Sequence, residues 1–289
     1  RSEKARAGNF MEKKKEKIKL PILVPLALAI LVLLFTSIIS IYSLQKRNIN
    51  DGVQRRLSGV NKMFQGRMEQ DAQLLNGLLD YLKRDETLQD AWARGDRELL
   101  LQHGRKLYKD LYQKYGVTRF SFHKPDRTCF LCVHNPSAGC DHLNLFTLQR
   151  AAQTGSAAHG IEVSPVGSLS LHAIHPWWIN GKLIGYIELA EEIKHVAPQL
   201  QETLDAELIF TINKSYIDQT KWQQRVKELA RRTDWGQFSY FVIVDNTMDE
   251  IPAELGEHIK FTPAEYENLL FSISSLGRHY RGGYVSLRD

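Results

Sequence analysis

An uncharged, mostly apolar run occupies Leu20 to Leu44, and behind it the pattern changes to a stripe. In that stripe Ile49, Val53, Leu57, Val60, Phe64, Met68, Ala72, Leu75, Leu79 and Leu82 recur every three or four positions. About 25 helical residues at about 1.5 Å each cover the ~30 Å hydrocarbon core of a bilayer with some tilt. The stripe is the apolar face of an amphipathic helix. The two are expected to join: a transmembrane helix over residues 20–44, continued by a long signalling or dimerisation helix over residues 48–84.

A second helix is predicted from Arg97 to Tyr115, stopped by Gly116, and then the period drops to two. Phe120 and Phe122 alternate with Arg119, Ser121 and His123, and Pro125-Asp126 marks a turn into Thr128 to His134. With Lys124 to Arg127 as a four-residue loop, His123 pairs with Thr128 and Arg119 with Cys132. One face then carries Phe120, Phe122, Cys129, Leu131 and Val133, and the other Arg119, Ser121, His123, Phe130, Cys132 and His134. Asn180-Gly181 marks a second hairpin. Pairing Ile179 with Lys182 puts Ile174, Trp178, Leu183, Ile187 and Leu189 on one face and His175, Trp177, Ile184, Tyr186 and Glu188 on the other. Each hairpin has a greasy face and a face rich in His, Trp, Tyr, Arg and Glu. That suits a sheet packed on the long helix on one side and closing a ligand cavity on the other. Beyond it a helix is expected from Glu191 to Leu204, bent near Pro198. A smaller α+β unit follows: strand Glu207 to Ile212, helix Gln219 to Arg232, strand Phe238 to Asp245 and strand-like Arg278 to Leu287.

Charge fixes the expected orientation. Arg1 to Lys19 holds 8 Lys+Arg and 3 Asp+Glu, all of the chain's net +5, while the rest balances at 30 of each. The lysine cluster before the apolar run keeps the N-terminus in the cytoplasm and places everything from about residue 46 outside. A cleaved signal peptide fits less well, since its apolar stretch is shorter and ends in a small-x-small site that Ile41 to Gln45 do not offer. The pI near 9 therefore reports membrane orientation and gives no nucleic-acid footprint. Met11 reads as the natural start and residues 1–10 as sequence upstream of it.

Cys129, Cys132 and Cys140 fall within 12 residues in a compartment where thiols oxidise. Together with His134 and His142 they have zinc-like spacing, and an anchored metal- or haem-binding protein is the competing reading. A regular strand, however, puts Cys129 and Cys132 on opposite faces, and haem attachment needs His directly after the second Cys, where Val133 stands. A Cys132–Cys140 disulfide and free thiols are the other options. No nucleophile elbow, phosphate loop or metalloprotease motif occurs, so no catalysis and no cofactor are expected.

Several short motifs, in order, resemble the double Cache sensory domain. They are Tyr115 to His123, Cys129 to His134 with Pro136 and Asp141, Gly160-Ile-Glu162, Pro165-Val-Gly167, Pro176-Trp177 and Gly185 to Ile193. The resemblance runs from about Ile49 to the end and is densest from Tyr115 to Ile193. It implies two stacked PAS-like modules with antiparallel sheets, here residues 85–204 distal and 205–289 proximal to the membrane. It also implies a ligand in the distal module, and a second membrane helix leading to a kinase, cyclase or chemoreceptor output beyond residue 289. This chain departs from the pattern at Cys132 and Leu145, where the family has arginine, and at Cys140, where it has glycine.

The expectation is an α+β sensor of a bacterial inner membrane, working as a homodimer and binding a small molecule. The candidate ligand residues are Arg119, Ser121, His123, Phe130, His134, Asp141, His175, Trp177, Tyr186 and Glu188. An arginine with two imidazoles suits a carboxylate or phosphate, and Glu188 or Asp141 suits an ammonium. A small organic acid or amino acid is the expected class.

Overall fold

The computed structural model describes the backbone of residues 2–137, 145–228, 234–259 and 270–287, and side chains from residue 23 onward. Asp141, Cys140 and His142 lie outside the described residues. The chain divides into two units, residues 1–55 and 56–289. The first is helical throughout, and its large apolar side chains from Leu23 to Leu44 are exposed, with the length and composition of a bilayer-crossing segment. Helix α1 runs Ser2–Leu82, so the two predicted helices form one element.

In the second unit, α1 is followed by α2 (Glu86–Arg94) and α3 (Arg97–Tyr115). Each begins on an aspartate that accepts a backbone N–H, Asp85 from Leu88 at 2.9 Å and Asp96 from Leu99 at 3.0 Å. Each ends on a left-handed glycine, Gly95 or Gly116. Strands β1 (Val117–His123), β2 (Cys129–Cys132), β3 (Ala158–Val163), β4 (Leu169–Ile179) and β5 (Lys182–Glu192) form an antiparallel sheet in the order β2-β1-β5-β4-β3. Helix α4 (Phe146–Thr154) precedes β3.

One face of this sheet meets the apolar stripe. Phe64, Met68, Ala72, Leu75, Leu79 and Leu82 of α1 join Phe120, Phe122, Leu131, Val133, Ala173, Ile187 and Leu189 in the main core. The other face is covered by α4, whose Leu148 and Ala151 pack with Leu145 on Ala158, Ile174 and Tyr186.

The Asn180-Gly181 hairpin forms as predicted, with Ile179 opposite Lys182 and both turn residues at positive φ. A β-bulge between Trp177 and Trp178 then exchanges the faces beyond it. His175 and Trp177 consequently lie on the α1 side, paired with Ile187 and Gly185, while Ile174 pairs with Glu188 on the other side. The first hairpin also departs from expectation. Its loop is the three residues Pro125 to Arg127, closed by Lys124 N–H to the Thr128 carbonyl (2.8 Å), with Arg127 at φ 70°. A bulge at Phe122/His123 then sets Ser121 opposite Cys132 and His123 opposite Cys129. Phe130 is the extra residue and packs on Trp92, with ring centroids 5.0 Å apart, on the core side instead of the polar one.

After β5 the chain makes a 3₁₀ turn, Ile193–His195, and α5 (Val196–Leu204). The expected helix from Glu191 is thus shorter, because β5 extends to Glu192. Pro198 sits in the first turn of α5, where its missing N–H leaves no bond unmade. Strands β6 (Ile209–Asn213) and β7 (Phe241–Asn246) pair antiparallel, with α6 (Gln219–Glu228) between them. A short α7 (Leu255–His258) precedes the hairpin of β8 (Leu270–Ser275) and β9 (Arg278–Gly283). The first two predicted strands begin two and three residues later, and β9 begins at Arg278 as predicted but stops at Gly283.

Candidate functional site

On the face away from α1, the register lines up three rows across the central strands. Arg119, Ala190 and His172 form one row; Cys132, Ser121, Glu188 and Ile174 the next; His123, Tyr186 and Pro176 the third. Neighbouring strands stand about 4.8 Å apart, so residues within a row are in direct reach. Five residues singled out from the sequence, Arg119, Ser121, His123, Tyr186 and Glu188, are brought together here.

The centre of this face is a buried ionic triad. Glu188 is 0% exposed; its Oε2 accepts from His123 Nε2 at 2.6 Å and its Oε1 from His172 Nδ1 at 2.7 Å. Burial alone pushes the Glu188 carboxyl up, but the hydrogen bonds and charge of the two imidazoles outweigh it and hold the group well below the carboxylate range. Ser121 donates to Cys132 Sγ at 3.8 Å. Burial raises the Tyr186 phenol, and the Arg127 charge draws it partly back. Arg119 is half-buried and forms no ion pair among the described residues.

Helix α4 is fastened over this face from one end. Its N-cap residue, Leu145, makes no capping hydrogen bond from its apolar side chain, and Glu162 of β3 takes over. The Glu162 carboxylate accepts from Thr147 N at 2.7 Å and Thr147 Oγ1 at 2.6 Å, placing a negative charge at a helix N-terminus.

A family model described as the double sensory domain of two-component sensor kinase matches residues 51–235. The chain belongs to the double Cache family. No curated protein matches it. Among solved structures, the Vibrio cholerae histidine kinase DctB sensor domain is 8% identical, covering 65% of this chain and 79% of that one at a TM-score of 0.47. The sensory domain of the Campylobacter jejuni chemoreceptor Tlp3 is 10% identical, covering 83% and 90% at 0.44. A domain of a sensory box/GGDEF family protein from Vibrio parahaemolyticus is 15% identical, covering 58% and 69% at 0.42.

The other predicted site residues of this Cache domain lie elsewhere. Trp177 is in the main core, stacked on Phe122. His175 faces α1, with Nε2 2.9 Å from Asn76 Oδ1 and Nδ1 3.4 Å from Asp80. Burial, then the Lys83 charge, pulls the His175 imidazole down, against Asp80. His134 stands beyond β2, with Nδ1 3.3 Å from the backbone N and O of Phe120.

The cysteine alternative loses its ligand set, because Cys129 is disulfide-bonded. Cys132 is buried, with its sulfur 3.8 Å from Ser121 Oγ, and the expected Cys132–Cys140 pairing falls on Cys140, outside the described residues. Nor do Cys129 and Cys132 take opposite faces; the Phe130 bulge brings their sulfurs to 3.9 Å. His172 is the member of the triad that the sequence reading missed. The alternation of Ser170 and His172 with Leu171 and Ala173 was its signal, hidden because the bulge at Trp177 breaks the phase.

Proposed function

We propose that this Cache domain is the extracytoplasmic sensor of a bacterial inner-membrane receptor. On this reading it binds a small anionic or amino-acid-like molecule on the face formed by Arg119, Ser121, His123, His172, Tyr186 and Glu188. The observation that carries the reading is the buried His123–Glu188–His172 triad, with a half-buried, unpaired Arg119 one row away among the described residues. A guanidinium is a fitting partner for a carboxylate, and the buried, mutually hydrogen-bonded triad gives the face a fixed polar floor beside it. Residues 85–204 form the membrane-distal module and residues 205–289 the proximal one. The lysine cluster lies in the cytoplasm, and residues from about 46 lie outside. Occupancy is relayed through α1 of a homodimer.

The test is thermal unfolding of the full chain in detergent against a panel of amino acids and small mono- and dicarboxylates. A binder raises Tm in proportion to the logarithm of its concentration. Arg119→Ala should keep the unliganded Tm and lose the rise. A rise that survives Arg119→Ala undiminished would remove this face from the site, and a panel without any binder would reject the ligand class.

A further inference from the structure

A second cluster lies on the opposite side of the sheet. Glu191 pairs with Leu171 and Val117 in register, both in the core shared with α1, so it points away from the Glu188 face. There it meets Asp71 of α1 and His195 of the 3₁₀ turn after β5. One ligand atom from each of the three lies within 4.8 Å of the others. Asp71 and Glu191 are 5% and 6% exposed.

An acidic cluster alone is no site, but here one oxygen has nothing to bond to. Glu191 Oε1 is buried and has no hydrogen-bond partner among the described residues. A buried carboxylate left this way is costly, and native structures rarely tolerate it without an ion or water. The neighbouring cation does not answer the need. Arg67 donates to Asp71 Oδ2 at 3.0 Å and pairs with no other acid among the described residues. His195 Nε2 approaches the same Asp71 oxygen at 3.2 Å. Burial, then the charge of Asp71, pushes Glu191 up to about 7 against the pull of His195 and Arg67.

We propose that Asp71, Glu191 and His195 form a divalent transition-metal site, fitted to Zn²⁺, separate from the sensory face. One imidazole nitrogen and two carboxylate oxygens are a donor set that Zn²⁺ accepts, with water completing four-coordination. Ligands at about 2.1 Å around a tetrahedral ion stand roughly 3.4 Å apart, so the cluster closes by at most about 1.4 Å. Arg67 becomes the outer partner that orients Asp71. The three ligands come from α1, the C-terminal end of β5 and the end of the 3₁₀ turn before α5, so the ion clamps the long helix to the strand end.

The experiment is Zn²⁺ titration of the full chain in detergent against a chromogenic chelator. One equivalent should bind and raise Tm. Glu191→Gln and His195→Ala should each weaken it at least tenfold and abolish the Tm rise. Co²⁺ in its place should give the visible absorption of a four-coordinate ion in the parent only. His195 is one-third exposed at its side chain, so its alanine variant is a test independent of any folding defect at Glu191. No bound equivalent, or an affinity unchanged in His195→Ala, overturns the site.

Discussion

Replacing Glu188 with glutamine isolates the charge at the centre of the triad without emptying the space. In the parent, two imidazoles donate to one carboxylate at 2.6 and 2.7 Å in a site with no solvent exposure. Hydrogen bonds to a charged acceptor contribute about 1.5–3 kcal/mol each and neutral ones about 0.5–1.5, so the pair should lose about 2–3 kcal/mol. That is below the ~3–5 kcal/mol for deleting one partner of a buried ion pair, which sets the expectation for Glu188→Ala. For a domain of this size the glutamine variant should unfold roughly 5–10 °C lower. Thermal unfolding of the full chain in detergent, followed by near-UV circular dichroism across pH, reads both size and sign. The Glu188 carboxyl is depressed in the folded state, so its contribution is complete above the ordinary value of 4.5 and fades as pH falls through the lower folded value. The gap between parent and variant should therefore be flat above pH 4.5 and narrow below it. A gap under about 0.5 kcal/mol at pH 7, or one that widens in acid, would falsify the triad's ionic reading.

Gly185 has φ 148°, and a Cβ there would stand 2.2 Å from the His123 carbonyl oxygen and 2.5 Å from the Trp92 ring. Gly185→Ala should therefore cost about 3 kcal/mol or more in denaturant unfolding. Gly181→Ala, with nothing within 4 Å of its Cβ, should cost about 1 kcal/mol; equal costs would refute the steric account. A cysteine introduced as Asn48→Cys should react with a membrane-impermeant thiol reagent in intact spheroplasts. Labelling only after lysis would reverse the proposed topology. Single cysteines across residues 46–57 should cross-link between subunits with a period near 3.5 residues, strongest around Ile49, Val53 and Leu57. Uniform absence of cross-links in membranes would mean a monomer.

The bounds of α3 and the pairing of Ile179 with Lys182 were legible because the signals were local: a capping aspartate, a stop glycine and an Asn-Gly turn. The stripe of α1 announced both a helix and the face it buries. Phe120, Phe122, Leu131 and Ile187 were correctly read as core because the apolar alternation within each strand segment marks its own buried face, whichever side of a bulge the segment lies on. What failed was phase across bulges. One extra residue at Phe130, and one at Ile184 opposite the Trp177/Trp178 step, moved Phe130, His175 and Trp177 off the polar face and admitted Ile174 and His172 to it. Periodicity carries no mark of an inserted residue, since a bulge is chosen by twist and packing between strands distant in sequence. Helix α4 was missed for a related reason: its cap is Glu162, fifteen residues further along the chain, and no local signal announces it.

The alternation along β1 has a mechanical meaning. Ser121 and His123 face the sensory side, while Phe120 and Phe122 between and beside them are fixed in the core with the long helix. The two sides are thus separated by the thickness of one peptide unit, with no linker, hinge or intervening layer. On the proposed function, a ligand that draws on His123 or Ser121 would act on the peptide planes that carry Phe122, and input and transmission would share the same few atoms of backbone.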